Sequence, residues 1–172
     1  AKILLPSGYL NIAIFDQEIE DFQTNTFVGT GFVLANAGSQ SSDGYEFDLV
    51  MSPTESIDLS ISGLFMDPIY DSYVGAAAGD LSGTVPSNIP EDTISSTITW
   101  NFDMNGWDSY LRISHLYSSE AFLLENPAHQ ALLEAQGNGF RKQDTLNFTA
   151  GFEKDNLSIS LWGKNINDDE YL

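Results

Sequence analysis

The residues that could do chemistry in this chain are few and scattered. His115 and His129 stand in different segments, and neither has a partner at metal-ligand or nucleophile spacing. Asp168-Asp169-Glu170 could hold a cation through its oxygens, but a solvated loop uses the same residues. Asp103-Met104-Asn105-Gly106 looks like the start of a calcium loop, yet no bidentate Glu follows at the required spacing; a hairpin turn accounts for it. Gly29-Thr30-Gly31 lacks the Lys-Ser or Lys-Thr of a phosphate loop. The serines form no Gly-x-Ser-x-Gly elbow. No acid–base dyad emerges, so no catalytic residue, cofactor or metal is expected. What remains are side chains suited to recognition. The aromatic and charged residues Tyr70, Asp71, Tyr73, Phe122 and Arg141 fall in or beside the long connections, where binding residues concentrate.

Bulk composition narrows the partners. The 172 residues carry 25 Asp plus Glu against 6 Lys plus Arg, a net charge of -19. Nucleic-acid binding needs basic patches and is excluded on this balance; so is simple adhesion to an anionic membrane surface. With no Cys, disulfide scaffolds and thiol chemistry are ruled out. At 42% hydrophobic and 12% aromatic, the chain has the material for a fold. No run approaches the ~20 apolar residues of a spanning helix. Contact with lipid would therefore require strands.

Period-two patterning predicts seven extended segments, at residues 9–22, 27–52, 57–70, 93–102, 107–118, 144–152 and 157–165. The second is expected to bend where Gly38 and Gly44 flank a polar stretch. Asn126-Pro127 and Gly137 bracket helix formers at 128–136, predicting one short helix. The connections at 53–56, 103–106 and 154–156 are short and carry turn chemistry; those at 23–26, 71–92 and 120–143 are read as long. In an antiparallel meander this alternation puts tight turns at one end and long loops at the other, as in outer-membrane barrels.

From the second predicted strand on, each carries a run of apolar residues on one face with no charge among them. Tyr45, Phe47, Leu49 and Met51 share one; Ile57, Leu59, Ile61 and Phe65 the next; then Ile94, Ile98, Trp100 and Phe102; Trp107, Leu111 and Ile113; Leu146, Phe148 and Phe152; Leu157, Ile159 and Leu161. A charge at a bilayer midplane costs about 2–4 kcal/mol, but the inner face of a soluble sandwich excludes charge too. Strands of about ten residues suit a tilted crossing, and Trp100, Phe102, Trp107 and Phe152 lie beside tight turns, where an interfacial girdle belongs. The first strand departs: Asp16, Glu18 and Glu20 follow Ile12 and Ile14 in register. Either it leaves the membrane there or a bulge flips its phase.

Three stretches resemble the C-terminal part of the barrel of TonB-dependent outer-membrane receptors: Phe15 through Asp21-Phe22-Gln23; Asn36-Ala37-Gly38-Ser39 with Gly44 and Glu46; and Trp162-Gly163-Lys164-Asn165 with Asp168 through Tyr171. The resemblance implies that this all-β, antiparallel up-and-down meander of about seven strands belongs to a larger transmembrane β-barrel. Residues 1–172 would be one partial barrel domain, with the plug domain and final strand absent. It also implies the outer membrane of a Gram-negative bacterium and energised uptake of a scarce small-molecule ligand such as an iron-siderophore. The implied partners are outer-membrane lipid and the TonB complex, the latter through the missing plug region. The competing reading is a soluble all-β binding module, a carbohydrate-binding-like sandwich sealed over Leu59, Ile98 and Phe148.

Overall fold

The computed structural model describes the backbone of all 172 residues except Gly29, Ala77, Tyr171 and Leu172, and the side chains except also those of residues 24–28, 32–33 and 35–37. Gly29 of the glycine pair and Tyr171 of the last resembling stretch thus lie outside the described residues. The elements are β1 (Lys2–Leu5), β2 (Gly8–Val28), β3 (Gly31–Thr54), β4 (Ile57–Ser72), β5 (Asp92–Asp103), β6 (Asp108–Phe122), α1 (Pro127–Glu134), β7 (Phe140–Lys154) and β8 (Leu157–Gly163). All strands pair in chain order, β1 through β8, in one antiparallel sheet. The expected meander is present, one strand richer. Lys2–Leu5 pairs with β2 across a turn at Pro6-Ser7, a strand too short for alternation to reveal.

Local chemistry fixes one end of the sheet. Turns at Pro6-Ser7, Glu55-Ser56, residues 104–107 and Asp155-Asn156 all lie there. Asn105 and Gly106 take φ values of 55° and 78°, and Asp155 takes 52°; these left-handed conformations favour Asn, Asp and Gly. The opposite end carries residues 73–91 and 123–139. The supposed loop at 23–26 is strand instead. β2 runs to Val28 and β3 resumes at Gly31, and from Phe22 and Gly38 outward the two strands pair only with each other. This makes a two-stranded ribbon that continues beyond the rest of the sheet.

One group of bulges falls at a glycine. Register shifts surround Phe22↔Gly38 and recur between Ser39 and Gln40 against β4. Asp21 takes φ 53° and Gly38 φ 113°. Gly44, by contrast, is paired regularly. Because the pairing is unbroken from Ile12 to Glu20, Asp16, Glu18 and Glu20 stay on the face of Ile12 and Ile14. The strand leaves the apolar band; the bulge comes only afterwards.

No second sheet covers that apolar face among the described residues. Ile98 is 43% exposed, Ile113 46% and Leu161 62%. The sandwich reading needs these side chains sealed, and the structure gives it no support. The band has a girdle at each edge. At the turn end, Trp100 and Phe102 stack with ring centroids 4.6 Å apart. At the loop end, Tyr45 stacks on Phe65 at 4.8 Å. Between Trp107 and Tyr117, ten positions apart on β6 and its approach, the strand rises about 33 Å at ~3.3 Å per residue. A tilt of ~40° reduces that to about 25 Å, the usual height of a barrel's lipid band. Immediately past the loop-end girdle, Asp16, Asp43 and Asp67 are register partners across three strands.

The helix forms as expected. Asn126 accepts from the N–H groups of Ala128 and His129 through its side-chain oxygen, Pro127 opens the first turn, and Gly137 follows with φ 76°. Beyond β8, side chains replace strand. Asn167 Oδ1 accepts from Leu146 N at 2.8 Å, and Asp169 Oδ2 accepts from Asp144 N at 2.7 Å. Asp169 is therefore engaged in a backbone cap, and no group of three or more His, Asp or Glu able to hold a metal occurs among the described residues.

Candidate ligand-binding wall

The polar face opposite the apolar band carries Asn11, Glu46, Asp48, Ser62, Thr97, Thr99, Arg112 and Asn147, positioned by strict alternation. Many bond across strands. Asn11 donates to Asp48 Oδ2 at 3.3 Å, Asn101 to Asp58 Oδ2 at 2.9 Å, and Arg112 Nε to Thr99 Oγ1 at 3.1 Å. Tyr110 covers Gly151 on this face: a Cβ there would stand 2.2 Å from the ring. This is a stiff, hydrophilic wall.

Toward the loop end the wall rises into a small core. Tyr70, Tyr73 and Leu81 are each no more than 4% exposed. Phe22 stacks on Tyr70 at 5.5 Å and meets Tyr73 edge-on at 5.7 Å. The loop of residues 73–91 folds back over β4: Met66 N donates to Glu91 O at 2.9 Å and Tyr70 N to Thr84 O at 3.0 Å. Pro68, between them, has no N–H to satisfy, so the loop can depart there without leaving an orphan donor. The two long loops are tied together. Tyr70 Oη donates to Glu125 Oε1 at 2.7 Å, and Asn88 N donates to Phe122 O at 2.7 Å. Within the loop, Ser82 donates to Asp80, which holds that exposed carboxyl below its usual range.

These contacts locate the residues picked out as recognition candidates. Tyr70 and Tyr73 are together, but buried as the core of the loop layer. Asp71 lies on the opposite face, accepting from Ser41 Oγ at 2.8 Å. Phe122 packs on Phe140 at 5.5 Å, half-buried. Arg141 is exposed at the top of β7, paired through its backbone with Ala121. Only the two tyrosines are brought into contact. His115 Nε2 does have a partner, Asp144 Oδ1 at 2.6 Å, 29 residues away and invisible to spacing arguments.

A recess on the wall beneath the loop layer was not among those candidates. A cavity of about 480 Å³ is lined by Phe15, Gln17, Ile19, Gln40, Ser42, Glu46, Leu64, Met66, Pro68 and Ile89, among others. It runs into a second, of about 410 Å³, lined by Asn11, Asp48, Ser62, Thr93 and Ser95, with Ala13, Glu46 and Leu64 shared. The signal that could have found it is an anomaly of alternation. Phe15, Ile19, Leu64 and Met66 are apolar residues on the polar register.

A single unlayered meander, bare and girdled on its apolar face and polar on the other, with tight turns at one end and long loops at the other, is the wall of an outer-membrane-type β-barrel. The sequence matches the model for the TonB dependent receptor-like β-barrel over residues 2–166, and the chain belongs to that family of outer-membrane receptors. Among solved structures it is similar to the ferric yersiniabactin uptake receptor FyuA from Yersinia pestis (TM-score 0.74, 16% identity, 99% of this chain and 24% of that one). It is likewise similar to BauA, the ferric preacinetobactin receptor from Acinetobacter baumannii (TM-score 0.70, 13% identity, 99% and 24%). At these identities the likeness is one of fold, and the chain spans about a quarter of either receptor. Among curated proteins nothing matches.

Proposed function

We propose that residues 1–172 act as one partial barrel domain of a receptor that takes up a scarce small molecule, an iron-siderophore being the leading class, across the outer membrane of a Gram-negative bacterium. Uptake is energised by the TonB complex through a plug region. The observation that carries the reading is the pairing of a girdled, exposed apolar face with a polar wall crowned by two interlocked loops. The apolar face fits lipid, and the polar wall fits a hydrated lumen open to ligand. Family membership and the two ferric-siderophore receptors of like fold support the ligand class. The chain itself supplies recognition and support rather than catalysis. In this reading Phe122 and Arg141 are the accessible loop contacts, and Asp71 a rim residue. Tyr70 and Tyr73 act by holding the loops that present those contacts.

The test is uptake of radiolabelled iron from a panel of ferric chelates by iron-starved cells. The cells express the full-length receptor carrying this segment, with and without a functional TonB. Accumulation of at least one chelate only when both receptor and TonB are present is the expected result. A correctly assembled barrel that neither binds nor accumulates any of them would overturn the reading.

A further inference from the structure

The cavity beneath the loop layer has a definite chemical character. Its upper part is apolar, formed by Phe15, Ile19, Leu64, Met66, Pro68 and Ile89. Pro68 is fully buried, and Ile89 is delivered by the returning loop, so the recess has both a wall and a roof. Its floor is acidic. Glu46 and Asp48 are two positions apart on β3 and share the polar face, and Glu46 lines both cavities. No Lys, Arg or His lines either. Ser42 lines the upper cavity, and its Oγ is buried with no hydrogen-bond partner among the described residues. A buried hydroxyl left so is unfavourable until something bonds it.

Charge then decides what can enter. Two carboxylates beside a partly enclosed recess, with no cation among the residues that line it, repel an anion and attract a cation. The effect is on the order of tenfold in affinity per unit of ligand charge. We infer that this trough takes a ligand with an apolar flank and an uncharged or cationic polar group. Glu46 and Asp48 are the specificity-determining residues that turn polyanionic ligands away. The inference rests on the receptor reading above and sharpens it, since it places ferric chelates of high negative charge outside the ligand class.

The test uses the purified full-length receptor and two fluorescent naphthalene probes matched in size, one bearing a quaternary ammonium and one a sulfonate. The ammonium probe is expected to bind at least about tenfold more tightly. The order should reverse in Glu46→Lys/Asp48→Lys and shrink toward equality in the near-isosteric Glu46→Gln/Asp48→Asn. Glu55→Lys, in a turn at the far end of the sheet, should leave the ratio unchanged. Equal affinities overturn the inference, and so does a ratio that charge reversal does not move. Binding of neither probe overturns it too, and means another part of the receptor, such as the plug, fills the trough. A parallel arm compares cellular uptake of a cationic ferric trihydroxamate with that of a trianionic ferric tricatecholate. Preference for the tricatecholate overturns the inference. If no chelate is taken up while the probe order holds, it is the iron-uptake reading that falls and the charge rule that stands.

Discussion

Ile98 and Ile113 are direct partners in the middle of the apolar band, flanked in the same row by Leu59 and Phe148. They are 43% and 46% exposed. On a water-facing surface, replacing such a side chain with Lys changes stability by no more than about 0.5 kcal/mol. On a lipid-facing surface at mid-depth it costs about 2–4 kcal/mol, which is roughly 30- to 900-fold in the folding equilibrium. Depth adds a second prediction. Ile94, paired with Tyr117 at the loop-end girdle, should cost only about 0–1 kcal/mol as Lys. Ser60, exposed on the opposite face of β4, should be within about 0.5 kcal/mol of neutral. The assay is urea-dependent folding of the full-length receptor into lipid vesicles, followed by tryptophan fluorescence and by the mobility shift of the unheated folded barrel in gels. A gradient Ile98 ≈ Ile113 > Ile94 > Ser60 is expected. If Ile98→Lys is no worse than Ser60→Lys, this face does not meet acyl chains and the barrel-wall argument fails.

Three other perturbations probe separate parts of the wall. Tyr70→Phe removes the bond from β4 to Glu125 that holds the second long loop; limited proteolysis should cut within residues 123–139 several-fold faster, with the vesicle-folding midpoint unmoved. Gly63→Ala would place a Cβ 2.5 Å from Phe47 Cε1 and 2.9 Å from Phe65 Cε2. That displaces the stacked rings of the upper girdle and should lower stability by about 1–3 kcal/mol in the same folding assay. Asp43→Asn relieves like charges set directly against Asp16 and Asp67; it should stabilise by about 0.2–1 kcal/mol at low ionic strength, and the gain should fade as salt screens the row.

What could be read from the chain follows from how local each feature is. The tight turns at Glu55-Ser56 and Asp155-Asn156 are fixed by two or three residues, and they lie where expected. The apolar faces of β4 to β8 were legible because one side of each strand must satisfy a single environment along its whole length. β1 was not, being four residues long with no alternation to detect. Residues 23–26 read as a connection because Gln, Thr and Asn there favour turns, although their backbone pairs in register with residues 33–36. Burial of Tyr70 and Tyr73 depends on Phe22 of β2, Leu81 of the loop at 73–91 and Glu125 of the loop at 123–139, three segments far apart in sequence. Nothing within a few residues of either tyrosine announces it.

The same distinction bears on where specificity resides. Aromatic residues in loops look like ligand contacts because exposed aromatics bind things. Here the two most conspicuous are consumed in fixing the loops. That frees the recess below them to keep its shape, with Ile89 held over Leu64 and Pro68 by backbone bonds from Met66 and Tyr70. A recess built on paired strands can discriminate by charge in a way a mobile loop cannot, because Glu46 and Asp48 keep fixed places on a strand paired on both sides, although Glu46 is exposed and partly screened. Substituting loop aromatics should therefore change how fast ligands are captured and released, and substituting the β3 carboxylates should change which ligands are captured at all.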